Sequence, residues 1–345
     1  MTLYVYPTNR KYLGSKRLLA SWICDQIEVV AGLPVNFLDG FSGTGAIAIE
    51  MMRRGVSQII CIDNLLSNTT VLESFFTPLS KIEVTNLDVL TKKLDLLPGC
   101  SGYVTNEYAD RYFTKQNAMR IDAIREEIQN YNSIISSKII ISNLLASLIL
   151  GVDKVANTVG QYDSFLKNLG DKSIVKGKHL VDRRVYKDIK LIPIKKSRKP
   201  ATVINKDILE SVKKLDVEVA YFDPPYNQRQ YCDNYHVLEN IVRWEKPLLN
   251  GKTKKFSCLD LKSPFSRKRD VKIAFDRLIS NCRVPWIFVS YSSEGLLEIS
   301  ELQDLLNAYG KVSIYSHAYS IFGNGAGLSK RRNVMEYLIA LDQRI

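Results

Sequence analysis

The 345-residue sequence is poor in metal-binding residues: three histidines, at 179, 236 and 317, and six cysteines, at 24, 61, 100, 232, 258 and 282. No two cysteines make a CxxC pair and the histidines are equally dispersed, so spacing offers no ligand cluster and no metal is expected. Free thiols in a chain without a leader segment lead to the expectation of a reducing, cytoplasmic setting. Long apolar runs are missing as well. The richest, around Leu144–Val152, is too short and too interrupted to span a bilayer, so no membrane role is expected. Internal repeats and low-complexity tracts are also lacking.

Acid is scarce relative to base. Asp and Glu number 36 against 48 Lys and Arg, a net charge of +12. Such an excess favours a polyanionic partner, although basic proteins without a nucleic-acid role exist. Its placement says more. Residues 165–200 hold twelve Lys/Arg and three Asp/Glu, a net +9 in one stretch, which favours a phosphate-facing surface. Lys195, Lys196, Arg198 and Lys199 are the candidate contacts there. Lys330, Arg331 and Arg332 form a second basic cluster, which reads equally well as a solvated face.

The length allows one large domain or two ordinary ones, and 46% hydrophobic with 24% charged residues is a globular composition. The front alternates strand and helix. Val35–Leu38 is a strand, a glycine turn follows, Ala46–Arg53 has helical spacing, and Gln58–Ile62 is a second strand. Alternation of this kind implies a parallel sheet covered on both faces. After about residue 100 the pattern turns helical, with Arg120–Tyr131 amphipathic and Ile139–Leu150 apolar, and then basic. Strands return at Ala201–Ile204, Val217–Phe222, Trp286–Ser290, Val312–Tyr315 and Met335–Leu341. The expected organisation is an α/β sheet domain, residues 1–100 and 201–345, interrupted by a largely helical insertion, 101–200.

"FLDGFSGTGAIAIEMM" (37–52) is a strand, a glycine turn and a helix. Gly43 and Gly45 permit a tight turn and close approach of a ligand, and the helix start offers free N–H groups. Residue 48 is Ala, so the dinucleotide fingerprint is incomplete. Asp39 at the strand end repels a pyrophosphate and suits a positively charged amino-acid moiety. An ordinary strand–helix turn has the same pattern. Asp63 ends the next strand, about twenty residues on, where an acid can bind both ribose hydroxyls of an adenosine; it also suits a helix N-cap. An adenosine cofactor without a pyrophosphate requirement is S-adenosylmethionine rather than NAD.

In "YFDPPYN" (221–227) an apolar strand runs into an acid and two prolines. Ligands of an α/β sheet bind beyond the carboxyl ends of its strands, and Asp223 stands at such an end. Pro224 and Pro225 stop strand and helix alike, so the loop is stiff. It presents the Asp223 carboxylate and the Pro224 carbonyl as acceptors, and Tyr226 offers a face for stacking. Two acceptors beside a flat plate suit an exocyclic amino group on a planar ring.

With these pieces in place, the sequence resembles the Dam-like, alpha-group DNA adenine-N6 methyltransferases, many of which belong to restriction–modification systems. The resemblance is carried by "KYLGSK" (11–16), "FLDGFSGTG" (37–45), "IDN" (62–64), "INKDI" (204–208), "DPPYNQRQY" (223–231) and "SYSSEG" (290–295), in the alpha-group order. It covers nearly the whole chain, while 101–200 matches only the variable recognition region. It implies a Rossmann-like S-adenosylmethionine-dependent fold with an inserted target-recognition domain. It also implies that Tyr12, Gly14 and Lys16 lie beside the methionine end of the cofactor, that Phe41, Ser42, Gly43 and Gly45 form its floor, and that Asp63 with Asn64 holds the ribose. Asp207 would face the cofactor's adenine amino group and Ile208 would pack on the ring, with Asp88 of "NLD" a rival for Asp207.

The chemistry this implies is direct methyl transfer. The adenine N6 lone pair is delocalised, and accepting its N–H groups at Asp223 and Pro224 favours a tetrahedral nitrogen as positive charge develops. The methyl carbon must lie within roughly 3–3.5 Å of that nitrogen, so the base must leave the duplex and rest on Tyr226. Downstream, Arg229, Tyr231, Asn234 and Tyr235 are candidate DNA contacts. The partners implied are double-stranded DNA and a cognate endonuclease acting separately, and the implied location is the bacterial cytoplasm or nucleoid. RNA adenine, DNA cytosine N4 and a catalytically silent DNA-binding module are the alternatives. The cytosine-N4 enzymes usually carry Ser in place of Asp223.

Overall fold

The computed structural model describes residues 5–166, 169, 174–175, 178–179, 183–322 and 331–344. Lys330 and parts of the basic stretch 165–200 lie outside the described residues.

Seven strands make the main sheet: β1 (Asn36–Asp39), β2 (Gln58–Asp63), β3 (Thr202–Asn205), β4 (Val219–Phe222), β5 (Trp286–Ser292), β6 (Lys311–Phe322) and β7 (Arg331–Asp342). Their order is β3-β2-β1-β4-β5-β7-β6. β1 runs parallel to β2 and β4, and β4 parallel to β5, whereas β7 is antiparallel to both β5 and β6. Central parallel strands are covered on both faces and therefore read as unbroken apolar runs. All four residues of β4, Val-Ala-Tyr-Phe, are buried. Around them Leu38, Ile287, Val289, Ile339 and Leu341 form the core with Phe275 and Leu278 of the Val271–Asn281 helix. Fully burying such side chains stabilises the fold by about 1.5–3 kcal/mol each.

Every strand expected from the sequence is present. β6 is longer than Val312–Tyr315 because it is an edge strand, where Ser313, Ser316 and His317 interrupt the apolar pattern without interrupting the ladder to β7. Strand order reverses between β1 and β4, and at that point an α/β sheet opens a crevice beyond its carboxyl ends. Asp39 and Asp223 stand at those two ends.

Two compact units result. One comprises 16–64, 204–231 and 260–345; the other comprises 1–15, 65–203 and 232–259. The first holds most of the sheet. The second is largely helical, with helices Leu66–Phe76, Lys81–Leu96, Lys115–Ile134, Lys138–Val155 and His236–Arg243. The division differs from a simple cut at 100 and 200, because the Leu66–Phe76, Lys81–Leu96 and His236–Arg243 helices all pack on the Lys138–Val155 helix. Its apolar residues Leu144, Leu148, Ile149 and Val152 are fully buried. Polar ties lock this unit. Glu239, fully buried, accepts from the Leu66 and Ser67 N–H groups at 3.0 and 2.9 Å and so caps the Leu66–Phe76 helix. Asp122 does the same for Val104 and Thr105, both at 2.7 Å. Among the described residues no helix is long and apolar enough to cross a membrane.

Candidate active site

The glycine turn after β1 has the geometry its composition demands. Gly43 and Gly45 have φ of 50° and 71°, a left-handed conformation that glycine adopts without a Cβ penalty. Gly40 has a different reason: a Cβ there would sit 2.5 Å from the Phe222 ring. The turn is tied to its neighbours. The Gly40 N–H donates to the Tyr221 carbonyl at 2.9 Å, and the Ser42 N–H to the Ile62 carbonyl at 3.0 Å. Ser42 turns its hydroxyl inward to the Asp39 carbonyl at 2.7 Å. Phe41 packs edge-on against Phe265 and Phe222, with centroids 5.3 and 6.3 Å away.

Two carboxylates, Asp63 and Asp39, adjoin this turn. Asp63 accepts from the Gly43 N–H at 2.8 Å, which fixes the acid at the end of β2 against the loop. Asp39 is 1% exposed, and its Oδ2 accepts from the Ala48 N–H at 3.2 Å. Burial pushes its carboxyl up to about 7, opposed by that hydrogen bond and helped by the negative charges of Asp223 and Asp63. At neutral pH this acid is therefore poised between charged and neutral, and a cation beside it would ionise it. Asp207 caps a short helix, accepting from the Leu209 N–H at 2.7 Å. Ile208 is buried and packs toward the space above Gly40. Asn64 reaches the Leu261 carbonyl at 3.2 Å. Asp88 is exposed, on the Lys81–Leu96 helix of the other unit.

Beyond β4, Pro224 and Pro225 are buried, and the Tyr226 carbonyl accepts from the Leu296 N–H at 2.9 Å, anchoring the stiff loop. The Asp223 carboxylate is not empty-handed. Lys16 Nζ lies 2.7 Å from its Oδ1 and 3.3 Å from Oε1 of Glu336. The same ammonium lies 5.6 Å from the Tyr226 ring centroid. Burial pushes the Asp223 carboxyl up to about 6 despite the adjacent ammonium, with Glu336 adding to the rise. Lys16 moves the other way from a lone buried amine: the two carboxylates outweigh desolvation and hold it well above its ordinary value. Sequence reasoning missed Glu336. Its signal is an acid within the apolar run Val334–Leu341 of β7, a placement that needs a buried partner. Tyr12 and Gly14 (φ 70°) belong to the helical unit. There Tyr12 stacks on Tyr235, with centroids 4.5 Å apart, and its hydroxyl accepts from Asn68 at 2.9 Å.

The candidate DNA contacts separate by exposure. Arg229 is exposed and Tyr231 half-buried, whereas Asn234 and Tyr235 are each 1% exposed. Tyr235 is a packing residue whose hydroxyl accepts from the Leu13 N–H at 2.6 Å. Lys195, Arg198 and Lys199 are exposed. Lys196, grouped with them by sequence, instead turns inward to the Ser74 carbonyl and to Asn143 Oδ1, and burial lowers its ammonium to about 8. Nor are the cysteines all dispersed in space. Cys232 and Cys258 place their sulfurs 2.9 Å apart, with Asp233 Oδ1 3.6 Å from Cys258. Among the described residues these three donors lie together, one short of the four that a closed structural zinc site uses.

Comparison with known proteins identifies the family. The family described as D12 class N6 adenine-specific DNA methyltransferase matches residues 12–304. The chain is 29% identical to the Type II methyltransferase M.NlaIII of Neisseria lactamica, over 96% of this chain and 99% of that protein. It is 32% identical to the Type II methyltransferase M.CviAII of Paramecium bursaria Chlorella virus 1, over 88% of this chain and 89% of the other. With the modification methylase StsI of Streptococcus sanguinis the identity is 28% over 97% of this chain, which spans about half of that protein (52%).

Proposed function

The chain belongs to the D12 class N6 adenine-specific DNA methyltransferases, and from that premise we propose that it methylates a flipped-out adenine in duplex DNA as the modification enzyme of a restriction–modification system. The carrying observation is the pairing of a rigid Asp-Pro-Pro-Tyr loop after β4 with the left-handed glycine turn after β1, at the point where strand order reverses.

The donor set around the turn fits S-adenosylmethionine: buried Asp39 for the ammonium, Asp63 for the ribose hydroxyls, Asp207 for the adenine amino group and Ile208 as an apolar plate. Phe41, Ser42, Gly43, Gly45 and Asn64 complete the cradle, and Tyr12, Gly14 and Lys16 are assigned to the methionine end. When bound, the cofactor supplies a methyl carbon on a positively charged sulfur. The chain's own work is then electrostatic. Asp223 and the Pro224 carbonyl accept the N6 hydrogens, and their attraction grows as the nitrogen becomes positive, so stabilisation is greatest in the transition state. Pro224 and Pro225 keep those acceptors from relaxing, and Tyr226 holds the extruded base by stacking. No covalent nucleophile is required.

Arg229 and Tyr231 follow this loop directly and are assigned to the DNA backbone and the gap left by the flipped base. Lys195, Arg198 and Lys199 supply phosphate contacts, with base readout by other residues of 101–200, the proposed target-recognition region. Asn234 and Tyr235 are assigned to packing.

The test is transfer of labelled methyl from S-adenosylmethionine to duplex DNA, with structured RNA and protein as comparators, followed by nucleoside digestion. N6-methyladenine from duplex DNA alone is expected. N4-methylcytosine, or labelling of RNA at the same rate, would overturn the reading.

A further inference from the structure

Glu336 is the one acid of the candidate site that no motif accounts for. It sits on β7, opposite Ser292 of β5 and His317 of β6, and is 0% exposed. Among the described residues neither of its carboxylate oxygens has a hydrogen-bond partner. Its close charge partner among the described residues is the Lys16 ammonium at 3.3 Å, a distance that makes an ion pair without a well-formed hydrogen bond. A fully buried carboxylate with neither oxygen hydrogen-bonded is costly unless something uses it.

Lys16 explains the use. Its ammonium lies on Oδ1 of the Asp223 carboxylate, the group assigned to accept the target amino group. A cation there does two harmful things: it occupies an acceptor, and it cancels the negative charge that should stabilise a positive transition state. Lys16 with Asp223 alone is neutral, whereas Lys16 with Asp223 and Glu336 carries a net −1. Departure of the ammonium to solvent would strand the buried Glu336 carboxylate and the half-buried Asp223 carboxylate. A shift toward Glu336 keeps one pair intact and frees Asp223.

We propose that Glu336 is a positioning residue: it takes over the Lys16 ammonium when the target adenine's amino group reaches Asp223, and so preserves the negative charge facing the reacting nitrogen. This rests on Asp223 being the acceptor of that amino group. Tyr221, Tyr226 and Tyr319 also face the cluster, and each is held above its ordinary phenol range by burial. They therefore stay neutral and leave the charge count to Lys16, Asp223 and Glu336, with Asp39 a further carboxyl that interacts with Asp223.

The experiment compares Glu336→Gln, which keeps shape and removes charge, with Glu336→Asp, which keeps charge. Single-turnover methylation should fall roughly 10- to 100-fold in Glu336→Gln, the size of one lost unit charge at an effective dielectric near 20. Glu336→Asp should recover most of that loss, and the cofactor Kd of both should match wild type. The acidic limb of the pH–rate profile should move to lower pH in Glu336→Gln, because a like charge beside Asp223 has gone; a merely structural role would leave it in place. A wild-type rate in Glu336→Gln, or a Glu336→Asp variant as defective as Glu336→Gln, overturns the inference. Asp223→Asn separates this from failure of the underlying reading. If Asp223→Asn is inactive while Glu336→Gln is normal, only the role of Glu336 falls; if Asp223→Asn turns over normally, the assignment of Asp223 falls with it.

Discussion

Asp39 gives the sharpest quantitative handle on the cofactor pocket. Its carboxyl lies near pH 7 rather than the usual 3.8, because burial disfavours the charge. Binding a cationic amino-acid moiety against it would return it toward the ordinary range, so cofactor binding must expel a proton. The sign follows directly. Below pH 7 the free protein holds that proton and binding must remove it, so affinity rises with pH and levels off above 7. At pH 7 about half a proton should be released per site, and Kd should be about 80-fold weaker at pH 5 than at pH 8. S-adenosylhomocysteine is the probe of choice, since it keeps the ammonium but lacks the sulfonium charge that would also act on Asp223. Calorimetry in buffers of different ionisation enthalpy counts the protons, and Asp39→Asn should abolish the count. The same substitution should stabilise the unliganded protein at pH 8 by up to about 4 kcal/mol, at 1.4 kcal/mol per pKa unit. That penalty grows as pH rises from 3.8 to about 7, so the variant and the wild type should converge in acid. A proton release that is zero in wild type, or unchanged in Asp39→Asn, would refute the assignment.

Backbone demands were the most legible part of the sequence. Gly43 and Gly45 could be read because a left-handed turn between strand and helix selects glycine. Asp223 could be read because two prolines after a buried strand leave few conformations for the residue before them. The strands of the sheet were legible for the same local reason: full burial writes a continuous apolar run. Side-chain direction was less legible. Asn234 and Tyr235 sit among polar residues and read as candidate DNA contacts, yet packing against Tyr12 and Leu13 buries Tyr235. Lys196 differs from Lys195 only in which way it points, and Asn143, far away in sequence, decides that. Glu336 was illegible as a site residue because its meaning depends on Lys16, brought near only by the fold. Period and composition report what a segment wants locally, whereas ion pairs between distant elements are set by tertiary contacts.

Asp223→Ala should reduce single-turnover methylation at least 1000-fold, with duplex binding by gel shift largely intact, since the lost interaction belongs to the transition state. Near-normal turnover would remove the mechanism. Asp63→Ala should weaken cofactor binding roughly 10- to 100-fold, the range for hydrogen bonds to a charged group, while leaving saturated turnover nearly unchanged; collapse of turnover at unchanged affinity would contradict the ribose assignment. The basic stretch gives the last test, because charge and exposure carry it without a motif. Lys195, Arg198 and Lys199 are exposed while Lys196 is engaged inside the helical unit. Gln substitutions at the first three should therefore each lower the log–log salt slope of DNA binding by about 0.9, equally on cognate and non-cognate duplexes and without touching cofactor affinity. Lys196→Gln should leave the slope alone and lower thermal stability instead, because it removes a donor from two buried acceptors. A slope that responds to Lys196 as strongly as to Lys195 would mean that the lysine leaves its internal partners for phosphate. Loss of cognate preference with an unchanged slope would move base reading into this stretch and phosphate binding out of it.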